Sequence, residues 1–133
     1  MTTTERIDSP VPTPNQEPER LGTVVIGAGQ TGLATAYYLG RGGVPCVVLD
    51  EHQRVGDQWR QRYDSLTMYS PARYDGLPGL PFPLPKRAYP TGGQMADYLE
   101  TYAGQFSLRV DTGVRIDRLQ APARDGDPFV ATA

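Results

Sequence analysis

The segment that most constrains this chain is Gly27-Ala28-Gly29-Gln30-Thr31-Gly32, a GxGxxG turn between an apolar β-branched run and a helical pattern. Residues 23–26 read as a buried central strand of a parallel sheet, polar on neither face. Residues 31–39 read as a helix ended by Gly40, Gly42 and Gly43, because glycine accepts the left-handed conformation of a C-cap. Residues 45–49 form a second β-rich run, closed by Asp50. Strand, helix and strand fit in about 28 residues, the size of a compact βαβ crossover. Each glycine has a separate task in such a turn. Gly27 permits the tight exit from the strand, Gly29 lets a pyrophosphate approach the backbone, and Gly32 lets the helix pack closely. The helix N-terminus then offers unpaired N–H groups and a partial positive charge to phosphates. Asp50 stands 18 residues beyond Gly32, suited to accept hydrogen bonds from ribose hydroxyls, with Glu51 as a weaker competitor. This constellation predicts a bound dinucleotide. An acid at that position disfavours a 2′-phosphate, so NADP is not expected here, but the turn alone does not separate FAD from NAD.

Composition removes several alternatives. A chain of 133 residues with 38% apolar and 21% charged residues is of one-domain size. A net charge of −2 lacks the basic footprint of nucleic-acid binders. No apolar run approaches the roughly 18 residues that would span a bilayer, so no membrane association is expected. Residues 1–20 are polar and proline-rich, lack the apolar core of a secretory signal, and read as a disordered leader. Cys46 is the only cysteine, which rules out an intramolecular disulfide and reads as a small buried thiol; a cytoplasmic location is expected. One histidine and one cysteine draw no zinc site. No pattern sets an oligomeric state.

Further along, residues 51–63 are mixed and polar around Trp59, and residues 65–70 are suited to an extended segment. Residues 71–90 contain six prolines and cannot hold a helix. Residues 93–106 carry the strongest helical pattern, with Met95, Tyr98, Leu99, Tyr102, Ala103 and Phe106 on one face. Thr91 and Gln94 form a capping-box pattern before it. Strands are expected at 108–110 and from 129, with weak alternation over 114–119. Of Arg54, Arg60, Arg62 and Arg73, one is expected to reach a phosphate and the rest to be solvated. His52 is expected to be exposed and is not read as a base.

Val55-Gly56-Asp57-Gln58-Trp59-Arg60 resembles the GGxW segment of flavin-containing monooxygenases, including the Baeyer–Villiger and plant auxin-synthesis branches. The likeness continues through Tyr63-Asp64-Ser65-Leu66, Tyr69-Ser70-Pro71, Leu80-Pro81-Phe82-Pro83, Tyr89-Pro90 and Asp97-Tyr98-Leu99, and covers about residues 23–119. It implies an α/β fold, a Rossmann-like FAD-binding domain with a parallel sheet, here over residues 21–133 and incomplete. It implies that Gly27, Ala28, Gly29, Gln30, Thr31 and Gly32 hold the FAD pyrophosphate and that Asp50, with Glu51 beside it, holds the adenosine ribose. Gln58 and Trp59 match positions that contact FAD; Tyr69 and Ser70 match a segment near the flavin and the nicotinamide. Three positions depart from the family pattern. Asp57 replaces the second glycine of GGxW, Tyr69 stands where animal relatives have Asn, and Asp50 stands for the commoner Glu.

In such relatives NADPH reduces FAD, and the reduced flavin and oxygen oxygenate a small-molecule substrate. The cofactor carries that chemistry, which accounts for the lack of a Ser-His-Asp set or a carboxylate pair. No second GxGxxG follows Gly32 in a strand–turn–helix context. The chain is therefore expected to supply half of a cofactor site, to bind FAD weakly and not to turn over alone. A non-catalytic or degenerate nucleotide-binding module stays open, as does another flavoprotein with two dinucleotide sites. The lack of a CxxC argues against a redox-disulfide type.

Overall fold

The computed structural model describes residues 17–133. The leader expected over residues 1–20 lies outside the described residues except for 17–20, which are exposed and without regular structure. β1 (Val24–Ile26) leads into α1 (Gln30–Arg41), which returns to β2 (Val47–Asp50). A short helix, α2 (Asp57–Arg60), precedes the proline-rich segment. That segment holds a 3-10 turn at Ala72–Tyr74 and an isolated antiparallel bridge between Leu77 and Leu80. α3 (Gly92–Gln105) then leads to β3 (Val110–Thr112). The three strands form a parallel sheet in the order β1-β2-β3, with Val25 opposite Val48 and Leu49 opposite Asp111. β4 (Arg118–Gln120) and β5 (Val130–Thr132) pair antiparallel as a separate, exposed ribbon.

The βαβ unit forms as its glycines dictate, and one expectation about it needs correction. β2, not β1, is the central strand: Val47 and Val48 are buried, while Val24 is 36% and Ile26 is 50% exposed. A short apolar run has the same composition at an edge as in the middle of a parallel sheet, and among the described residues β1 pairs on one side only. Helix α1 also runs through Gly40, and the left-handed residue after it is Gly43 (φ 74°). Cys46 is only partly buried and lies just before β2, packed on the core.

α3 is the platform of the molecule. Thr91 Oγ1 accepts from the Gln94 N–H at 3.1 Å while Gln94 Oε1 accepts from the Thr91 N–H at 2.9 Å, so the capping box is complete. Its apolar face meets α1, where Met95, Tyr98, Leu99 and Tyr102 join Leu33, Ala36 and Tyr37 in one buried cluster. Two tyrosine hydroxyls of that face bond to the backbone of the proline-rich segment, six of whose residues lack an N–H. Tyr98 Oη accepts from the Leu77 N–H and donates to the Leu80 carbonyl, both at 2.6 Å. Tyr102 Oη donates to the Pro78 carbonyl at 2.6 Å. Phe82 stacks on Tyr98 with ring centroids 4.6 Å apart. Burial pushes the Tyr102 phenol up to about 12, and Tyr98 is raised by the same cause.

α2 is too short to persist alone, since a single helical turn does not recover its nucleation cost. It is held on α3 by close backbone approach. Gly56 has φ 94°, and a Cβ there would sit 2.5 Å from the Ala96 carbonyl oxygen. Gly56→Ala is therefore expected to destabilise the fold by about 2 kcal/mol or more, as left-handed strain adds to a backbone clash. Thr91→Ala should cost only about 1 kcal/mol. Urea unfolding of both variants checks this, and equal losses would contradict the close α2–α3 approach.

Candidate functional site

β1 ends at Gly27, whose positive φ of 99° turns the chain away from the sheet. The Gly27 N–H donates to the Leu49 carbonyl at 2.7 Å, and the Ala28 N–H donates to Asp50 Oδ2, also at 2.7 Å. The turn is thus tied to the end of β2 by its own backbone. Gly29 is the N-cap of α1 and carries no capping side chain. The first intrahelical bond runs from the Leu33 N–H to the Gly29 carbonyl, so the N–H groups of Gln30, Thr31 and Gly32 lie before it. A Cβ on Gly32 would lie 1.8 Å from the Gly27 carbonyl oxygen, which shows how closely the helix start packs on the turn.

Two adjoining cavities open over this turn, sharing Ile26, Gly27, Gly29 and Gln58. One, of about 390 Å³, is lined by the turn together with Gln58, Trp59 and Arg62. The other, of about 420 Å³, extends past the ends of β2 and β3 and is lined by Asp50, Glu51, His52, Val114, Arg115 and Ile116 among others. Together they form a trench outside the carboxyl ends of the parallel strands, the usual ligand position of an open α/β sheet.

Most of the residues singled out from the sequence meet at this trench. Gly27, Gly29, Gln30, Thr31, Gly32, Asp50, Glu51, Gln58 and Trp59 all line it. Ala28 is fully buried, and its N–H is committed to Asp50. Tyr69 and Ser70 line neither cavity. Tyr69 is 96% exposed, and Ser70 Oγ donates to Asp75 Oδ1. A larger cavity of about 660 Å³ lies in the proline-rich segment between Arg73, Phe82 and Lys86, and of the candidate residues only Arg73 lines it. Among the described residues no cluster of potential metal ligands occurs.

Asp50 is more deeply engaged than its sequence position suggests. It is only 7% exposed. Oδ2 accepts from Ala28, and Oδ1 accepts from the His52 N–H and from His52 Nδ1, both at 2.9 Å. A carboxylate only accepts, so His52 Nδ1 carries the hydrogen in this contact. Three of the roughly four acceptor sites of a carboxylate are thus filled by protein, leaving one, on Oδ2, for a ligand. Burial works to raise the Asp50 pKa, but the Ala28 and His52 backbone donors and the His52 ring outweigh it, and the carboxyl is held below its ordinary value. His52, expected to be exposed, is instead part-buried by this contact.

Sequence reasoning missed His52, Val114, Arg115 and Ile116 as lining residues. A signal was present: Val114 follows β3 as closely as His52 follows β2, and ligands collect where parallel strands end.

The pattern described as pyridine nucleotide-disulphide oxidoreductase matches residues 24–132. The chain belongs to that family. Within it, the chain is like the flavin-containing monooxygenases. A flavin-containing monooxygenase from Stenotrophomonas maltophilia superposes with a TM-score of 0.71 at 32% identity, over 82% of this chain and 32% of that one. The uncharacterized oxidoreductase CzcO-like of Geobacillus kaustophilus is 40% identical over 97 residues, 73% of this chain and 28% of that protein. The indole-3-pyruvate monooxygenase YUCCA1 of Oryza sativa subsp. japonica is 37% identical over 106 residues, 79% of this chain and 26% of that protein. The chain thus spans less than a third of the length of these relatives, within their Rossmann-like FAD-binding fold.

The Asp50 clasp has a pH signature. A folded-state pKa held below the unfolded value adds stability above about pH 4, and that stability is lost as pH falls through the folded value. Asp50→Asn places an amide against N–H donors and should cost about 1–3 kcal/mol at pH 7. The difference from wild type should shrink between pH 5 and pH 2, in urea unfolding repeated across that range. A constant difference would mean that the carboxylate charge plays no part.

Proposed function

We propose that this chain is the FAD-binding segment of an NADPH-dependent, monooxygenase-type flavoprotein. The observation that carries the reading is the open space over Gly29. A Cβ there would meet only Gln58 Nε2, at 3.6 Å, so the missing side chain leaves room beside the free N–H groups of α1. That is the cradle a diphosphate needs, and it continues into a cavity suited to the adenosine.

The residues present fit the group. Gly29, Gln30, Thr31 and Gly32 would take the diphosphate on their backbone N–H groups. The remaining acceptor site of Asp50, with exposed Glu51 beside it, would take the ribose hydroxyls. Gln58 and Trp59 would wall the trench from α2. Tyr69 and Ser70 are proposed to lie near the flavin, and near the nicotinamide of a bound NADPH, beyond the trench. Bound FAD supplies the redox chemistry, by accepting hydride and delivering electrons to oxygen. The chain's own task is to bind and orient. NADPH, oxygen and a small-molecule substrate are proposed for the whole protein, and this chain carries no second glycine turn for the nicotinamide cofactor.

Gly29→Ala separates ligand binding from folding. The added methyl has room in the protein and Gly29 has a negative φ of −80°, so urea stability should stay within about 0.5 kcal/mol of wild type. FAD affinity, read by flavin fluorescence titration, should fall at least about tenfold, because the methyl occupies the phosphate approach. Unchanged affinity would remove the trench from the reading. A colourless protein even after refolding with FAD would favour a non-catalytic module. NADPH oxidation by the purified 133-residue chain would overturn its assignment as the FAD-binding segment alone.

A further inference from the structure

We propose that Arg62 is the side chain that meets the diphosphate of the bound dinucleotide and makes the site selective for ligands that carry one. The inference rests on the FAD reading and adds to it a residue outside the glycine motif. A diphosphate brings two negative charges. The turn from Gly27 to Gly32 contains no cation, and a helix N-terminus supplies only about half a charge. A side-chain cation would supply the remaining charge, and four arginines follow the turn in the sequence.

Two of them are committed elsewhere, and a third faces another cavity. Arg54 is clasped by Glu100, with Nη2 at 2.7 Å from Oε1. Arg60 donates to the Val55 carbonyl at 2.8 Å, to Asp57 Oδ1 at 3.0 Å and to Asp97 Oδ1 at 3.3 Å. Arg73 lies over the Tyr74 ring at 4.7 Å and lines the separate proline-rich cavity. Arg62 alone of the four lines the cavity that holds Gly29, Gln30 and Thr31. Among the described residues it forms no ion pair.

Its mounting leaves the working end free. Arg62 Nε donates to the Gln58 carbonyl at 3.3 Å, and the guanidinium lies 5.8 Å from the centre of the Trp59 ring. Both Nη groups remain available, in the fork geometry that matches phosphate oxygens. The departure at Asp57 fits this arrangement. The carboxylate that replaces the second glycine of the GGxW segment is neutralised by Arg60, so it does not draw Arg62 away.

The test uses the full chain, with FAD and adenosine as separate ligands, titrated calorimetrically at low and at moderate salt. Arg62→Gln should weaken FAD about tenfold, the loss of one charge-assisted hydrogen bond, and should flatten the salt dependence. Adenosine, which lacks the diphosphate, should bind the variant as it binds wild type. Arg62→Lys should recover part of the loss, since it keeps the charge without the fork. FAD binding by Arg62→Gln with wild-type affinity and salt dependence would overturn the assignment and leave the FAD reading standing. Equal loss of FAD and adenosine would overturn it as well, because it would mark a structural role. Absence of FAD binding by wild type would overturn the FAD reading itself, and this assignment with it.

Discussion

The contact between the Asp50 carboxylate and the Ala28 N–H is the constraint on which the rest of the site depends. It ties the glycine turn after β1 to the end of β2, 22 residues later, and fixes where α1 begins. A carboxylate this buried is costly unless its oxygens are satisfied. The His52 backbone and ring meet the other oxygen, so the same group also sets the course of the chain leaving β2. The acid at the end of the second strand is therefore a structural clasp first. It reaches the trench with one acceptor site to spare.

The second wall of the trench depends on α3. Its capping box fixes its start, and its buried tyrosines hold the proline-rich segment through hydroxyl bonds to backbone. Its other flank carries α2 through the Gly56–Ala96 approach and the Arg54 and Arg60 ion pairs with Glu100 and Asp97. Exposed ion pairs of this kind add little stability individually. Their effect here is geometric: they hold a four-residue helix in the one orientation that turns Gln58 and Trp59 toward Gly29.

Much of this was legible from local pattern. The GxGxxG turn, its following helix and the capped helix from Thr91 each rest on interactions within a few residues, and each appears close to its expected limits. Met95, Tyr98 and Tyr102 are buried, as their spacing requires. What was misread or missed involves partners distant in sequence. The place of β1 in the sheet depends on which strands flank it. The burial of His52 depends on the carboxylate two residues before it facing inward toward Ala28. The presence of Val114 and Arg115 at the trench depends on β3 pairing beside β2.

The sequence by itself determined a βαβ start with a glycine turn and the family to which the chain belongs. Glycine φ values, a capping box and helical periodicity are properties of contiguous residues. Only the tertiary structure decided how the charges are shared out. It committed Arg54 and Arg60 to acids on α3, filled most of Asp50 with N–H donors, and left Tyr69 and Ser70 outside the trench. The reason is that ion pairing and burial are settled by distances between elements, which α3 and the sheet set together. Local sequence names the groups able to meet a phosphate, and packing decides which of them is free to do so.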